Sequence, residues 1–154
     1  MGRIVLVCGM PGAGKTTLAL RLEAAHDAVR LCPDEWIVAT GLDPQDARLR
    51  HRVERLQWQQ ALRLAGLGLT VVVEFGSWQR LQRRRFAEQA RAVGAAVELR
   101  LLDVPLAERW RRIEERNSEP GAVVISREQL AGFERWWQPP DAAELASYDA
   151  PLVP

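Results

Sequence analysis

Lysine is almost missing from this chain: of 21 basic residues, only Lys15 is a lysine and the rest are arginines. Where bulk positive charge suffices, arginine serves as well as lysine. A single retained lysine therefore marks a position that needs a compact ammonium rather than a planar fork. Cysteine is scarce too. Cys8 and Cys32 are too few for a disulfide framework, and they are expected as buried free thiols in a reducing, cytoplasmic setting. Net charge is nearly absent, at +1, which excludes a bulk attraction to phosphate backbones and leaves room only for a local patch. No apolar run approaches the roughly 18–20 residues of a membrane span. The apolar start at Arg3–Cys8 is interrupted by Gly9 and Pro11, unlike a signal peptide. Repeats and low-complexity tracts are missing as well.

What is present is ordinary globular material, 154 residues at 47% hydrophobic and 27% charged, the size of one domain over 1–154. Arg3–Cys8 is a short β-branched run, as in a strand buried on both faces. Similar runs at Val29–Cys32, Leu69–Val73, Ala96–Leu102 and Val123–Ile125 predict five strands in all. Between them, helical spacing predicts helices over Lys15–Ala25, Gln45–Ala65, Gln79–Val93 and Pro105–Arg116, and Ser126 caps one running to Trp136. Residues 138–154 are expected to be irregular. Strands alternating with helices predict an α/β/α layering around a parallel five-stranded sheet. Ligands of such sheets bind beyond the carboxyl ends of the strands.

Directly after the first strand comes Gly9-Met10-Pro11-Gly12-Ala13-Gly14-Lys15-Thr16, the G-x-x-x-x-G-K-[ST] pattern opening a helix. Glycines let successive N–H groups turn inward as a nest for anionic oxygens, and the helix start adds its positive dipole end. Lys15, the solitary lysine, reaches β- and γ-phosphates; the Thr16 hydroxyl suits Mg²⁺. A guanine-reading N-K-x-D pattern is missing, and with Lys15 as the only lysine it cannot occur, which excludes a Ras-type GTPase. No motor-type arginine-finger motif is present either. A small domain with one P-loop fits a phosphotransferase using ATP and Mg²⁺.

The strand exits supply the other candidates. Asp34 in Pro33-Asp34-Glu35-Trp36 is placed to accept a proton from an attacking hydroxyl, with Glu35 as competitor. Glu74 follows the third strand, where it holds Mg²⁺ through water. Arg112 and Arg116 share a helix face, a spacing suited to clamping transferring phosphate. Trp36 and Trp78 are candidate walls for a flat or sugar-like acceptor, and Trp136-Trp137-Gln138-Pro139-Pro140 a candidate border for adenine. Arg80, Arg83, Arg84 and Arg85 form a dense basic patch.

These residues resemble the small P-loop kinases grouped with zeta-toxin-like and chloramphenicol-phosphotransferase-like proteins and the kinase half of polynucleotide kinases. Many of these are described only as AAA family ATPases. The resemblance spans nearly the whole chain and rests on VCGMPGAGKTTLA at 7–19, PDEW at 33–36, VVVEFGSWQRLQRR at 71–84, the Arg112-x-x-x-Arg116-Asn117 step, and ISREQL with the later PPDAAEL. It implies a nucleoside-kinase-like P-loop fold with a short lid at about 105–122. It further implies that Gly9, Pro11, Gly12, Ala13, Gly14, Lys15, Thr16 and Thr17 bind ATP, and that Asp34 faces the acceptor. By the same resemblance Arg112 and Arg116 are lid arginines, and Trp78, Arg80 and Arg83 fall in a W-x-R-x-x-R stretch bordering the substrate. Glu74 departs from the more usual aspartate; its extra methylene favours contact with the metal through water. Three readings stay open: a small-molecule kinase, with an antibiotic or sugar-like acceptor; a nucleic-acid 5′-hydroxyl or nucleotide-sugar kinase, including the toxin type; and a nucleotide-binding module without transfer. The expected partners are ATP and a small acceptor, with no membrane, in a monomer or a homodimer.

Overall fold

β-Branched residues crowd Arg3–Gly9 and Thr70–Gly76, which form strands β1 and β3, each buried along almost its whole length. A computed structural model of the chain describes residues 1–153. With β2 (Val29–Leu31) and β4 (Ala96–Leu102) they make one sheet in the order β2-β3-β1-β4, every pairing parallel. Parallel neighbours need long crossovers, and helices supply them: α1 (Lys15–His26), α2 (Pro33–Ala39), α3 (Ala47–Gly66) and α4 (Arg80–Ala92); α5 (Leu106–Asn117) follows the last strand. Then follow α6 (Arg127–Phe133), a 3₁₀ turn at Glu134–Trp136, and α7 (Ala142–Ala146).

Side chains alternate between the two sheet faces, and the core divides accordingly. Ile4 and Leu6 point with Val71 and Val73 toward Trp58, Ala61 and Ala65 of α3 and Ala87 and Ala90 of α4. Val5, Val7 and Val72 pack instead on Ala19 and Leu22 of α1. Trp58, Phe75 and Phe86 form an aromatic cluster in the first layer, Trp58 and Phe86 stacked at 4.1 Å between centroids. This is the three-layer α/β fold, with one correction. The sheet has four strands, because among the described residues Val123–Ile125 joins no ladder. Its backbone is taken by side chains: the Asn117 amide donates to the Ile125 carbonyl (2.8 Å) and accepts from the Ile125 N–H (3.1 Å), while Gln45 donates to the Val124 carbonyl.

Two smaller differences have local causes. Pro33 not only stops β2 but opens α2, since proline is pre-set for the first helical position. The tail is not irregular throughout. Asp141 caps α7, and beyond it Asp149 pairs with the exposed side of β4, its N–H to the Val97 carbonyl (2.9 Å) and its carboxylate from the Val97 N–H (2.7 Å). The fully buried Glu98 accepts from Arg3 (3.0 Å), from Arg100 and from the Leu152 N–H (2.9 Å). The tail thus covers an edge that would otherwise offer unpaired backbone groups.

Candidate functional site

The loop from Gly9 to Gly14 turns sharply because its glycines adopt conformations that L side chains avoid. Gly12 has φ +81° and Gly14 φ +95°. A Cβ on Gly12 would lie 2.7 Å from the Arg109 carbonyl and 3.0 Å from Ile113, so α5 presses directly on the loop. Gly14 is also the N-cap of α1, with no side-chain cap, so the first N–H groups of the helix are left to the loop's concave side. These are the features an anion cradle requires, at the carboxyl end of β1.

Lys15 is half-buried, and its ammonium donates to the Met10 carbonyl at 3.2 Å. Burial pulls its pKa down to about 8, opposed by the charges of Glu74 and Asp34. Both carboxylates therefore act on the loop lysine, although they leave the sheet from different strands. Glu74 is 6% exposed. One of its oxygens accepts from the Thr16 hydroxyl (2.8 Å) and the other from Arg30 (2.6 Å). β1 and β3 are neighbours, which brings Thr16 and Glu74 together from 58 positions apart. A threonine hydroxyl beside a carboxylate fits a hydrated Mg²⁺, a hard cation that keeps several waters. Thr17 is exposed beside Thr16, and Pro11 and Ala13 complete the loop.

Arg30, on β2, escaped sequence reasoning because a lone arginine in an apolar run has no motif. It binds Glu74, both oxygens of Glu35 (2.6 and 2.7 Å) and Glu23 (3.3 Å). Glu35 is thereby drawn aside, whereas Asp34 contributes to the field at Lys15. Asp34 is in turn paired with Arg50 of α3, which also holds Glu54 at 3.7 Å. Burial pushes Glu54 up to about 7, with Arg50 pulling down and Asp34 pushing up. Gln57, one turn on, is fully buried and neither amide atom has a hydrogen-bond partner among the described residues. Arg50, Glu54 and Gln57 share the helix face turned toward α2. The signal for them was available as polar residues at i, i+4 and i+7, but only the fold says which face is inward.

On α5, Arg112 donates to the Gly12 and Ala13 carbonyls at 3.4 Å while Glu108 holds it at 2.9 Å. Arg116 is exposed one turn further along. Trp36 is 45% exposed. Trp78 is half-buried, donates to the Gly9 carbonyl (3.2 Å) and packs on Phe133 at 5.3 Å, so it braces the loop from below. Arg83 requires a correction as a substrate contact. It is completely buried and fully engaged, by Glu144 (2.6 and 2.9 Å) and by the Ser77 and Trp78 carbonyls. Arg80 is exposed and pairs with Asp141 at 3.1 Å. A small cavity of about 150 Å³ adjoins the loop on the other side, lined by Met10, Val104, Pro105, Arg109, Glu134 and Trp137 among others.

Comparison with known proteins bears on the fold and the family. A chain of the Pnkp1/Rnl/Hen1 RNA repair complex superposes with a TM-score of 0.73 at 16% identity, over 88% of this chain and 43% of that one. This chain therefore spans less than half of that relative. A sugar kinase from Janibacter matches with a TM-score of 0.69 at 19% identity, covering 94% of this chain and 82% of the other. The Mycobacterium tuberculosis APS kinase, in complex with AMPPNP and APS, matches at 0.59 and 24% identity, over 72% and 68%. No curated protein matches. At such identities the likeness shows the fold, that of P-loop kinases. Residues 4–140 match the AAA domain family model, and the chain belongs to that family.

Proposed function

We propose that the protein is an ATP-dependent phosphotransferase that moves the γ-phosphoryl group of ATP to a hydroxyl of a small molecule. The observation that carries this reading is the meeting of loop and carboxylate at the strand ends: the Thr16 hydroxyl, next to Lys15, donates to Glu74 at 2.8 Å, and Asp34 opens α2 directly after β2. A kinase needs those groups together, a phosphate cradle, a metal carboxylate and a proton acceptor.

In this reading the N–H groups of Gly12 to Thr17 and the Lys15 ammonium bind the phosphates. Thr16, with Glu74 through water, would hold Mg²⁺, which would supply charge neutralisation at the phosphate oxygens. Arg30 keeps Glu74 oriented. Asp34 takes the proton from the acceptor hydroxyl as its oxygen bonds to phosphorus and the bond to the ADP oxygen breaks. The products are a phosphate ester, ADP and the proton on Asp34. Arg112, already over the loop, and Arg116 stabilise the charge spread over the transferring oxygens. The cavity beside Met10 and Trp137, which also carries Asp103, Arg109 and Glu134 in its wall, is where adenine would sit. Glu35, Trp36, Arg50 and Glu54 lie on the acceptor side, and their mixture of carboxylate, guanidinium and indole suits a hydroxylated, sugar-like molecule. The chain acts over 1–154 as one kinase domain, with residues 105–122 closing over the phosphates.

The likeness to a chain of an RNA repair complex favours, as a second reading, a nucleic-acid 5′-hydroxyl acceptor. Against it, Arg83 and Arg84 of the basic patch are held by Glu144 and Glu88. The test is mass spectrometry of reactions holding ATP, Mg²⁺ and a metabolite and antibiotic library. A single acceptor gaining one phosphate is expected, and loss of that product with Asp34→Asn. Saturable ATP binding with no product from any acceptor, oligonucleotides included, would leave a binding module instead.

A further inference from the structure

The outer face of α3 carries a charge pattern that the phosphotransferase reading does not use. Arg48, Arg52, Arg55 and Arg63 lie at i, i+4, i+7 and i+15, one stripe along the solvent side of this 20-residue helix, with the exposed His51 and Gln59 beside them. At 1.5 Å per residue the stripe is about 22 Å long. Ala47, Arg48, His51, Arg52 and Arg55 border an open depression at its N-terminal end.

Ten of the 20 arginines hold no carboxylate within 4 Å among the described residues; Arg21, Arg85, Arg91, Arg116, Arg127 and Arg135 are spread over several other elements, and the remaining four make up this stripe. Arg80, Arg83 and Arg84 on α4, and Arg109, Arg111 and Arg112 on α5, each hold a carboxylate within 4 Å. The four arginines of the stripe form no such pair among the described residues. The helix has a single acidic residue, Glu54, and it points to the opposite face with Arg50. A chain whose total is only +1 thus concentrates unpaired cations on one straight edge.

We propose that this face docks the sugar-phosphate backbone of a nucleic acid. Guanidinium forks match phosphate oxygens, and a strand presents one phosphate per 3.4 Å of helix axis, so several fall within reach of a 22 Å stripe. A membrane surface fits less well. An interfacial helix buries an apolar face in lipid, and the apolar face of α3, with Trp58, Ala61 and Ala65, is already against the sheet. The proposal does not depend on what the kinase acceptor is, because the stripe points away from Asp34.

Fluorescence anisotropy with a labelled 20-nucleotide RNA and its DNA counterpart tests it, using the full chain across a salt series. The wild type is expected to bind with log Kd linear in log salt. R48Q/R52Q/R55Q/R63Q should weaken binding at least roughly tenfold at about 100 mM salt and reduce the slope by about 2–3. R84Q/R85Q, on α4, should leave both unchanged. Equal thermal melts confirm that the variants fold; should the quadruple variant not fold, R48Q/R52Q is read instead, with half the change in slope. Unchanged binding by the α3 variant, or equal loss with R84Q/R85Q, would overturn the proposal. So would capture by phosphatidylserine vesicles without oligonucleotide binding, or equal competition by polyglutamate.

Discussion

Lys15 combines two opposed demands. Burial lowers its pKa to about 8 while Glu74 and Asp34 hold it up, so near pH 8 a part of the population lacks the proton that phosphate binding needs. Adding polyphosphate restores that proton. Calorimetry of ATP binding at pH 8 in two buffers of different ionisation enthalpy should therefore show net proton uptake, and Lys15→Ala should abolish both the uptake and turnover. Asp34→Asn removes the proposed base and leaves the loop residues themselves in place: ATP affinity should largely persist while transfer falls by about 10²–10⁴. Glu54 offers a third test, on stability. Its folded pKa of about 7 lies above an unfolded value of about 4.3. The folded state binds the extra proton, so this contribution is present below pH 4 and is lost as pH rises to 7. Glu54→Gln, compared with wild type in urea at pH 5 and pH 8, should be relatively more stable at pH 8, by about 1–3 kcal/mol.

At the scale of elements, the loop depends on how closely α5 approaches it. Gly12→Ala must place a Cβ 2.7 Å from the Arg109 carbonyl at φ +81°, so it should lower the melting temperature and abolish ATP binding. Gly14→Ala meets nothing nearer than Arg112 at 3.7 Å and should cost only the left-handed strain, about 1 kcal/mol. The strands were legible in the sequence wherever β-branched runs were long: β1, β3 and β4 lie where the pattern puts them, as do α1 and α3–α5 within a few residues. Val123–Ile125 misled because periodicity registers side chains, whereas Asn117 and Gln45 had claimed its backbone. Candidate site residues with a motif, from Gly9 to Thr16, were readable one by one. Arg30, Arg50, Glu54 and Gln57 were not, since each acquires meaning only when β2, α2 and α3 are packed side by side.

Across the whole molecule, the two ends of the chain hold each other. Arg3 donates to the Ala150 carbonyl and to Glu98, which in turn accepts from the Leu152 N–H. Removing residues 148–154 should strand the buried Glu98, bare the β4 edge and lower stability by about 2–4 kcal/mol, with aggregation visible by light scattering. No described helix is long and apolar enough to cross a membrane, and both cysteines are free and buried, their thiols pushed up to about 11 by burial. What the architecture is organised around is the edge where β1, β2 and β3 end. Isothermal titration of the full chain with ATP and Mg²⁺ tests that claim most directly. One saturable site per chain, lost in Gly12→Ala and weakened in Lys15→Ala, is the predicted result. Absence of binding heat at several temperatures, or undiminished binding by both variants, would contradict it.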